Sequence, residues 1–270
     1  GGMKTVILCG GYGTRIRDVS DNIPKPMIPV GDLPILWHLM KYYSTFGHND
    51  FVLCLGHKGQ AIKDFFLNYE FYTRDCTVSL GSNTKEIHTP HREADWKVTL
   101  ADTGADSMTG ARIRKIKSYI GGDENFFLTY GDGLSNVDLK ALLAFHNKHG
   151  RTLTVTGVRP PGRFGEIGSD TSGRVTEFNE KPQATGGRIS GGFFVCRPEL
   201  FDYLDDRDDL VFEQEPMRRL VTDKQLMLYE HDDFYKDIEL LVKNLTEYEK
   251  NNQLSLFTSG RFDGIYGIPA

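Results

Sequence analysis

The chain has 270 residues, 39% apolar and 26% charged, which is long enough to bury a substantial core and close to the average for soluble globular proteins. That balance excludes disordered and collagen-like classes. A formal charge of −5 argues against a general nucleic-acid binder, which would show a basic patch and a high pI.

In chain order, residues 5–9 form a continuous apolar run ending in glycines, the pattern of a central parallel strand covered on both faces. Residues 35–43 predict a helix, 51–55 a second buried strand and 61–69 another helix. Residues 85–97 are polar and irregular and read as an excursion from the core. A strand at 126–130 runs into Gly131-Asp132-Gly133, followed by a helix at 137–149 and strands at 153–158 and 174–178. The acidic run 205–209 reads as a solvated turn, and residues 254–270 carry no strong periodicity. Strands alternating with helices predict an open, mostly parallel α/β sheet with helices on both faces and right-handed crossovers. In such sheets ligands bind beyond the carboxyl ends of the strands.

Cys9, Cys54, Cys76 and Cys196 include no CxxC pair. Cys9 and Cys54 sit in apolar runs and read as buried structural thiols, a usage that suits a reducing cytoplasm. No apolar stretch approaches a membrane span, no signal-peptide pattern is present, and Gly1-Gly2 ahead of Met3 read as an appended scar.

Two glycine-flanked motifs fall at predicted strand ends. Gly10-Gly11-Tyr12-Gly13-Thr14-Arg15 follows the first strand, and successive amides in such a loop form a concavity for anions. Alone, a glycine cluster is as readily a plain turn, and the spacing is neither a dinucleotide fingerprint nor a Walker loop. The sequel strengthens it: Arg15, then Pro24-Lys25-Pro26-Met27, where two prolines stiffen the backbone around a cation suited to meeting phosphate in a fixed place. Asp132, in Tyr130-Gly131-Asp132-Gly133, is a lone carboxylate on a strand-end turn, suited to a hard cation that keeps most of its waters. Gly-Asp-Gly is also common turn chemistry.

The ordered set Gly-Gly-x-Gly-Thr-Arg, Pro-Lys-Pro-Met, Tyr-Gly-Asp-Gly and Glu180-Lys181-Pro182 resembles the nucleotidyltransferases that activate sugar 1-phosphates. Within them the chain is most similar to the glucose-1-phosphate cytidylyltransferases. The shared features are residues 34–38, Asp102-Thr103-Gly104 with Ser107-Met108-Thr109-Gly110, residues 160–165, Gly191-Gly192-Phe193-Phe194 and Glu213-Gln214-Glu215-Pro216. The resemblance implies a Rossmann-like nucleotidyltransferase domain over residues 3–250 with a small sugar-binding β excursion. Its nucleotide-binding half would span about residues 3–135 and its sugar-phosphate half about 136–250, followed by a tail at 251–270. It further implies transfer of a cytidylyl group from CTP to glucose 1-phosphate or a close hexose 1-phosphate, with pyrophosphate released and Mg2+ as cofactor. Family members form homo-oligomers, and neither nucleic acid nor membrane is an expected partner.

Residue by residue, the resemblance implies that Leu8, Gly10, Gly11, Gly13, Thr14, Tyr130 and Gly131 cradle the nucleotide. Arg15 and Lys25 would neutralise the triphosphate and the leaving pyrophosphate, and Asp132 would hold the metal. Glu180 would accept from sugar hydroxyls and Lys181 would grip the sugar phosphate, beside Ser190 and Gly191. Cytosine needs an acceptor for its amino group and donors for its ring nitrogen and carbonyl, and residues 107–112 resemble the part of the cytidylyltransferases that meets the base, which makes Thr109 and Arg112 the candidate base readers.

Two departures stand out. The family's Asn-Gly-Gly-Phe-Phe appears as Ser190-Gly191-Gly192-Phe193-Phe194, and serine reaches less far toward a sugar hydroxyl. The family's second metal aspartate lies in Trp-Gln-Pro-Met-Asp-Thr, whereas this chain reads Phe234-Tyr235-Lys236-Asp237-Ile238-Glu239. Ungapped pairing puts Glu239 at that position, a small shift puts Asp237 there, and absence of a short segment carrying the aspartate is the third possibility. Two other readings compete with the main one: another base or sugar, and a regulatory relative that binds nucleotide sugars without turning them over.

Overall fold

The computed structural model describes residues 2–10, 23–122, 124–159, 166–179, 187–232 and 235–237, with only the backbone at 166–169, 177–179 and 235–237. In chain order its first half runs β1 (Lys4–Leu8), β2 (Pro29–Val30), β3 (Leu33–Pro34), α1 (Ile35–Thr45), β4 (Asp50–Leu55), α2 (Gly59–Leu67), α3 (Tyr69–Thr73), β5 (Cys76–Ser79), β6 (Thr84–Ile87) and β7 (Lys97–Asp102). Then come α4 (Thr109–Lys115), β8 (Phe126–Tyr130), β9 (Gly133–Ser135), α5 (Leu139–His149) and β10 (Leu153–Val158). The last elements are β11 (Glu166–Ser169), β12 (Val175–Asn179), β13 (Ile189–Ser190), β14 (Phe194–Cys196), α6 (Glu215–Thr222), β15 (Leu226–His231) and β16 (Tyr235–Asp237).

One eight-stranded sheet organises the molecule, in the order β13-β10-β14-β8-β1-β4-β7, with β15 along β10. β8, β1, β4 and β7 pair in parallel, as do β10 and β15. β14 is inserted antiparallel between β10 and β8, so the sheet is mixed yet mostly parallel. The apolar runs predicted as central strands are those strands: Val6, Ile7, Val52, Leu53, Phe127 and Leu128 are fully buried, because both faces are covered. One covering layer packs Ile35, Leu39, Tyr43, Leu139 and Leu142 on the sheet. The other packs Ile113, Ile116, Leu200, Phe212 and Leu220.

The expected helix at 61–69 is two pieces, α2 and α3, meeting at Asn68. The one expected at 137–149 begins at Leu139, capped by the Asp138 carboxylate, which accepts from the Ala141 N–H at 3.0 Å, and it ends on Gly150 at φ +69. The stretch read as an irregular excursion includes β6, which pairs with β5 in an antiparallel ribbon exposed on nearly every residue. With neither face covered, the ribbon lacks the apolar alternation by which strands are recognised. The acidic run 205–209 is more than a solvated turn. Its Asp208 carbonyl accepts from the Met108 N–H at 2.9 Å, and its carboxylate meets Lys115 at 2.9 Å, docking the loop on both ends of α4.

Candidate active site

The carboxyl ends of the parallel strands converge, and the predicted residues described there come with them. β1 delivers Leu8, whose carbonyl accepts from the Gly131 N–H at 2.9 Å, so the first glycine loop and the Gly131-Asp132 turn start side by side. The prolines flanking Lys25 have a visible purpose. Lys25–Met27 is a short 3-10 turn in which Met27 N–H bonds Pro24 O at 2.9 Å, and Pro26 is buried against Gly131. A Cβ on Gly131 would stand 3.0 Å from Pro26 Cγ and 3.2 Å from Leu8 O, tight enough that the Pro26 turn would have to shift by a few tenths of an ångström. The half-buried Asp132 therefore sits beside the turn that carries the half-buried Lys25. Burial pushes the Cys9 thiol well up, and the nearby Cys54 and Asp132 push the same way.

Arg112 occupies the next position along the strand ends. Only 4% exposed, it lies in a slot between Gly10 and Gly56, where a Cβ on either glycine would overlap its guanidinium. Its Nε donates to Ser107 O at 2.8 Å, one terminal nitrogen to Thr103 Oγ1 at 3.2 Å and the other to Ala105 O at 3.5 Å. The same side chain thus shapes the segment 103–107 from behind. Thr109, the other expected base reader, is tied to the protein. Its hydroxyl donates to Glu213 Oε2 at 2.7 Å and accepts from Phe212 N–H at 2.9 Å, so its one proton goes to the protein. Tyr130 donates to the other oxygen of Glu213, also at 2.7 Å.

On the sugar side, Ser190 is exposed on β13, and its Oγ accepts from Gly192 N–H at 3.3 Å. Gly191 N–H bonds Thr156 O at 2.8 Å. Gly11, Gly13, Thr14, Arg15, Glu180, Lys181 and Glu239 lie outside the described residues. Asp237 is described by its backbone alone, and there it is the cross-strand partner of Gly133, one residue from Asp132, in the antiparallel pair β9–β16. Among the described residues no group of three or more His, Cys, Asp or Glu side chains converges. The donors at this turn are thus few hard carboxylates, which fits a Mg2+ ion that retains most of its water and does not fit a closed zinc site.

The model of the family described as nucleotidyl transferase matches residues 4–239. The chain belongs to that family. It is 44% identical to the glucose-1-phosphate cytidylyltransferase of Salmonella typhimurium over 240 residues, covering 88% of this chain and 92% of the relative. It is also 44% identical over 248 residues to a probable glucose-1-phosphate cytidylyltransferase of Bacillus subtilis, covering 92% and 95%. Among solved structures, HddC from Yersinia pseudotuberculosis complexed with GMP-PN superposes with a TM-score of 0.64 at 22% identity, over 93% of this chain and all of that one, and so shares the fold.

Within this nucleotidyltransferase, sequence reasoning missed Gly56 and gave Glu213 no role. The signal for Gly56 was its place at the end of a buried strand, the same place that singled out Gly10. Glu213 offered only its position in a shared motif, and its partners are 83 and 104 residues away in sequence. Pro34-Ile35-Leu36-Trp37-His38, another shared motif, is structural at His38. Nε2 donates to Val30 O at 2.8 Å across the β2–β3 turn, and burial lowers the imidazole to about 4.

Proposed function

We propose that this protein transfers the cytidylyl group of CTP to α-D-glucose 1-phosphate, giving CDP-glucose and pyrophosphate. What carries the reading is the junction at the strand ends, where Asp132 on its glycine turn stands beside the proline-held Lys25, a carboxylate and a cation where a triphosphate would meet its metal. The names of the relatives at 44% identity supply the base and the sugar.

The chemistry is an in-line displacement. An oxygen of the sugar phosphate attacks the α-phosphorus, the bond to the bridging oxygen of the β-phosphate breaks, and pyrophosphate leaves with that electron pair. Lys25 and Arg15 take up the charge that grows on the leaving group, where a fixed cation acts mainly on the transition state. Lys181 holds the sugar phosphate and Glu180 orients the ring through its hydroxyls, beside Ser190 and Gly191. Asp132 and Asp237 are the carboxylates offered to Mg2+, the register opposite Gly133 favouring Asp237 over Glu239. Bound there, Mg2+ would supply charge stabilisation at the α-phosphate. Arg112 acts on base recognition by holding residues 103–107 in place, and Thr109 by anchoring the start of α4.

The unpacked β5–β6 ribbon, with Val78 and Leu80 exposed, supports a homo-oligomer, because an isolated two-stranded ribbon is marginal in water. Among the described residues no helix is long and apolar enough to cross a membrane. The thiol usage supports a cytoplasmic setting.

The deciding experiment is a pyrophosphate-release matrix of four NTPs against several sugar 1-phosphates with Mg2+. CTP with glucose 1-phosphate should exceed every other pair. A buried site patterned for cytosine leaves groups unpaired against uracil at roughly 1–3 kcal/mol each, so two mismatches give well over tenfold. Equal use of CTP and UTP would sink the cytidylyl assignment.

A further inference from the structure

We propose that Glu213 is a positioning residue for the transfer. Its carboxylate ties the start of α4 to Tyr130 beside the metal turn, and in doing so fixes the wall shared by the nucleotide and sugar halves of the cleft. The inference rests on the nucleotidyl-transfer reading above.

Glu213 is exposed, which would ordinarily mark a solvated acid, yet both its oxygens are engaged. Oε2 accepts from Thr109 Oγ1 and Oε1 from Tyr130 Oη, each at 2.7 Å. A carboxylate only accepts, and each hydroxyl has one proton to give, so the bridge sets the direction of both hydroxyls. The backbone holding the carboxylate is itself fixed. Leu210 O accepts from Gly110 N–H at 2.9 Å, Phe212 N–H donates to Thr109 Oγ1 at 2.9 Å, and the Phe212 ring is fully buried edge-on to Phe194 at 5.4 Å. Glu213 therefore projects from an anchored loop into the gap between two elements that share no strand pairing.

Tyr130 is where this anchoring reaches the chemistry. It immediately precedes Gly131-Asp132, and its ring covers Gly192 of the sugar-side segment. A Cβ on Gly192 would stand 3.0 Å from Tyr130 Cδ2, a tight contact, and Gly192 holds φ +72, where a side chain is strained whatever the space. The ring also meets Phe194 edge-on at 6.0 Å. One aromatic plane thus borders both the metal turn and the Gly191-Gly192 backbone, and the Glu213 bond stops it from swinging on its χ angles. A fixed wall places the attacking sugar phosphate relative to Asp132, and a misplacement of about 1 Å can cost 10²-fold in rate. Hydrogen bonds at an exposed site contribute little to folding, so loss of this one should appear in catalysis rather than in stability.

The test is steady-state pyrophosphate release by the full chain carrying Glu213→Ala, Tyr130→Phe, both together, or Glu213→Gln, read beside thermal midpoints. Each of the first two should lower kcat/KM for glucose 1-phosphate about tenfold, with a smaller rise in the KM for CTP, since Thr109 and Tyr130 also border the nucleotide, and midpoints nearly unmoved. The double variant should be no worse than about twofold below the poorer single, because both cut the same bond. Glu213→Gln keeps the length and one acceptor oxygen and should recover part of the activity. Losses that multiply in the double variant, a loss confined to the KM for CTP, or midpoints falling in step with activity would overturn the proposal. Wild-type protein inert with every NTP and sugar phosphate would instead overturn the transfer reading, and the proposal with it.

Discussion

Gly56→Ala tests how the slot for Arg112 is built. The added Cβ would stand 2.5 Å from Arg112 Cζ and closer still to both terminal nitrogens, whereas ordinary contacts lie near ~3.5 Å. The guanidinium must retreat by about 1.5 Å. That stretches the 3.2 Å bond to Thr103 Oγ1 and the 3.5 Å bond to Ala105 O beyond hydrogen-bonding range and strains the 2.8 Å bond to Ser107 O. Loss of one or two charge-assisted bonds from a side chain only 4% exposed should cost about 2–5 kcal/mol, and the released 103–107 segment should raise the KM for CTP. Denaturant midpoints and CTP kinetics read the two effects. The control is Gly56→Ala in an Arg112→Ala background. All three atoms nearest the added Cβ belong to Arg112, so the stability cost there should shrink to within about 0.5 kcal/mol. An equal cost in both backgrounds would refute the steric account.

Asp132→Asn should abolish Mg2+-dependent turnover with little change in unfolding free energy, because the half-buried turn keeps its shape and loses only its charge; near-normal activity would remove Asp132 from the site. Lys181→Ala should chiefly raise the KM for the sugar phosphate and Lys25→Ala chiefly lower kcat, and exchanged phenotypes would reverse the two roles. His38 and His146 are both lowered by burial from 6.5 to about 4, so the folded state keeps them neutral while the unfolded chain takes up protons first. Unfolding free energy should therefore hold above pH 6.5 and fall as pH drops toward 4, with a slope approaching ~2.7 kcal/mol per pH unit for two protons. Uptake of less than one proton across that window, measured from denaturant curves, would contradict the burial of both rings.

The strands easiest to read in the sequence were those buried on both faces, since burial there leaves continuous apolar runs such as Phe51 to Leu55. β7 is the parallel edge strand, half-exposed along most of its length, and it left no such run. β14 is three residues long, and nothing in three residues declares an antiparallel direction. At the candidate site, the local backbone of Lys25 and Asp132 was legible because prolines and glycines around them fix it locally. The hydrogen bonds of Thr109 and Arg112 were not, because each depends on partners brought together by the fold. The Thr109 proton goes to Glu213, and three of the five Arg112 guanidinium N–H groups go to Ser107, Thr103 and Ala105. A motif shows that a residue type is wanted at a position, but which of its donors remain for a ligand is set by tertiary contacts.

That distinction bears on how the base side and the sugar side are made to agree. Three close approaches, Arg112 on Gly10 and Gly56, Pro26 on Gly131 and Tyr130 on Gly192, each press a bulky side chain onto backbone that lacks a Cβ. They join the ends of β1 and β4 to α4, the Lys25 turn to the Gly131-Asp132 turn, and that turn to the Gly191-Gly192 segment. None of the three bulky groups is required to touch the reacting phosphorus. On the proposed reading each sets a distance between elements that border the reactants, and distances set by packed atoms need no reorganisation when charge develops in the transition state. Enlarging a glycine at any of these contacts should therefore impair transfer more than its own lack of a side chain would suggest, because the displaced group is a spacer for two parts of the cleft at once.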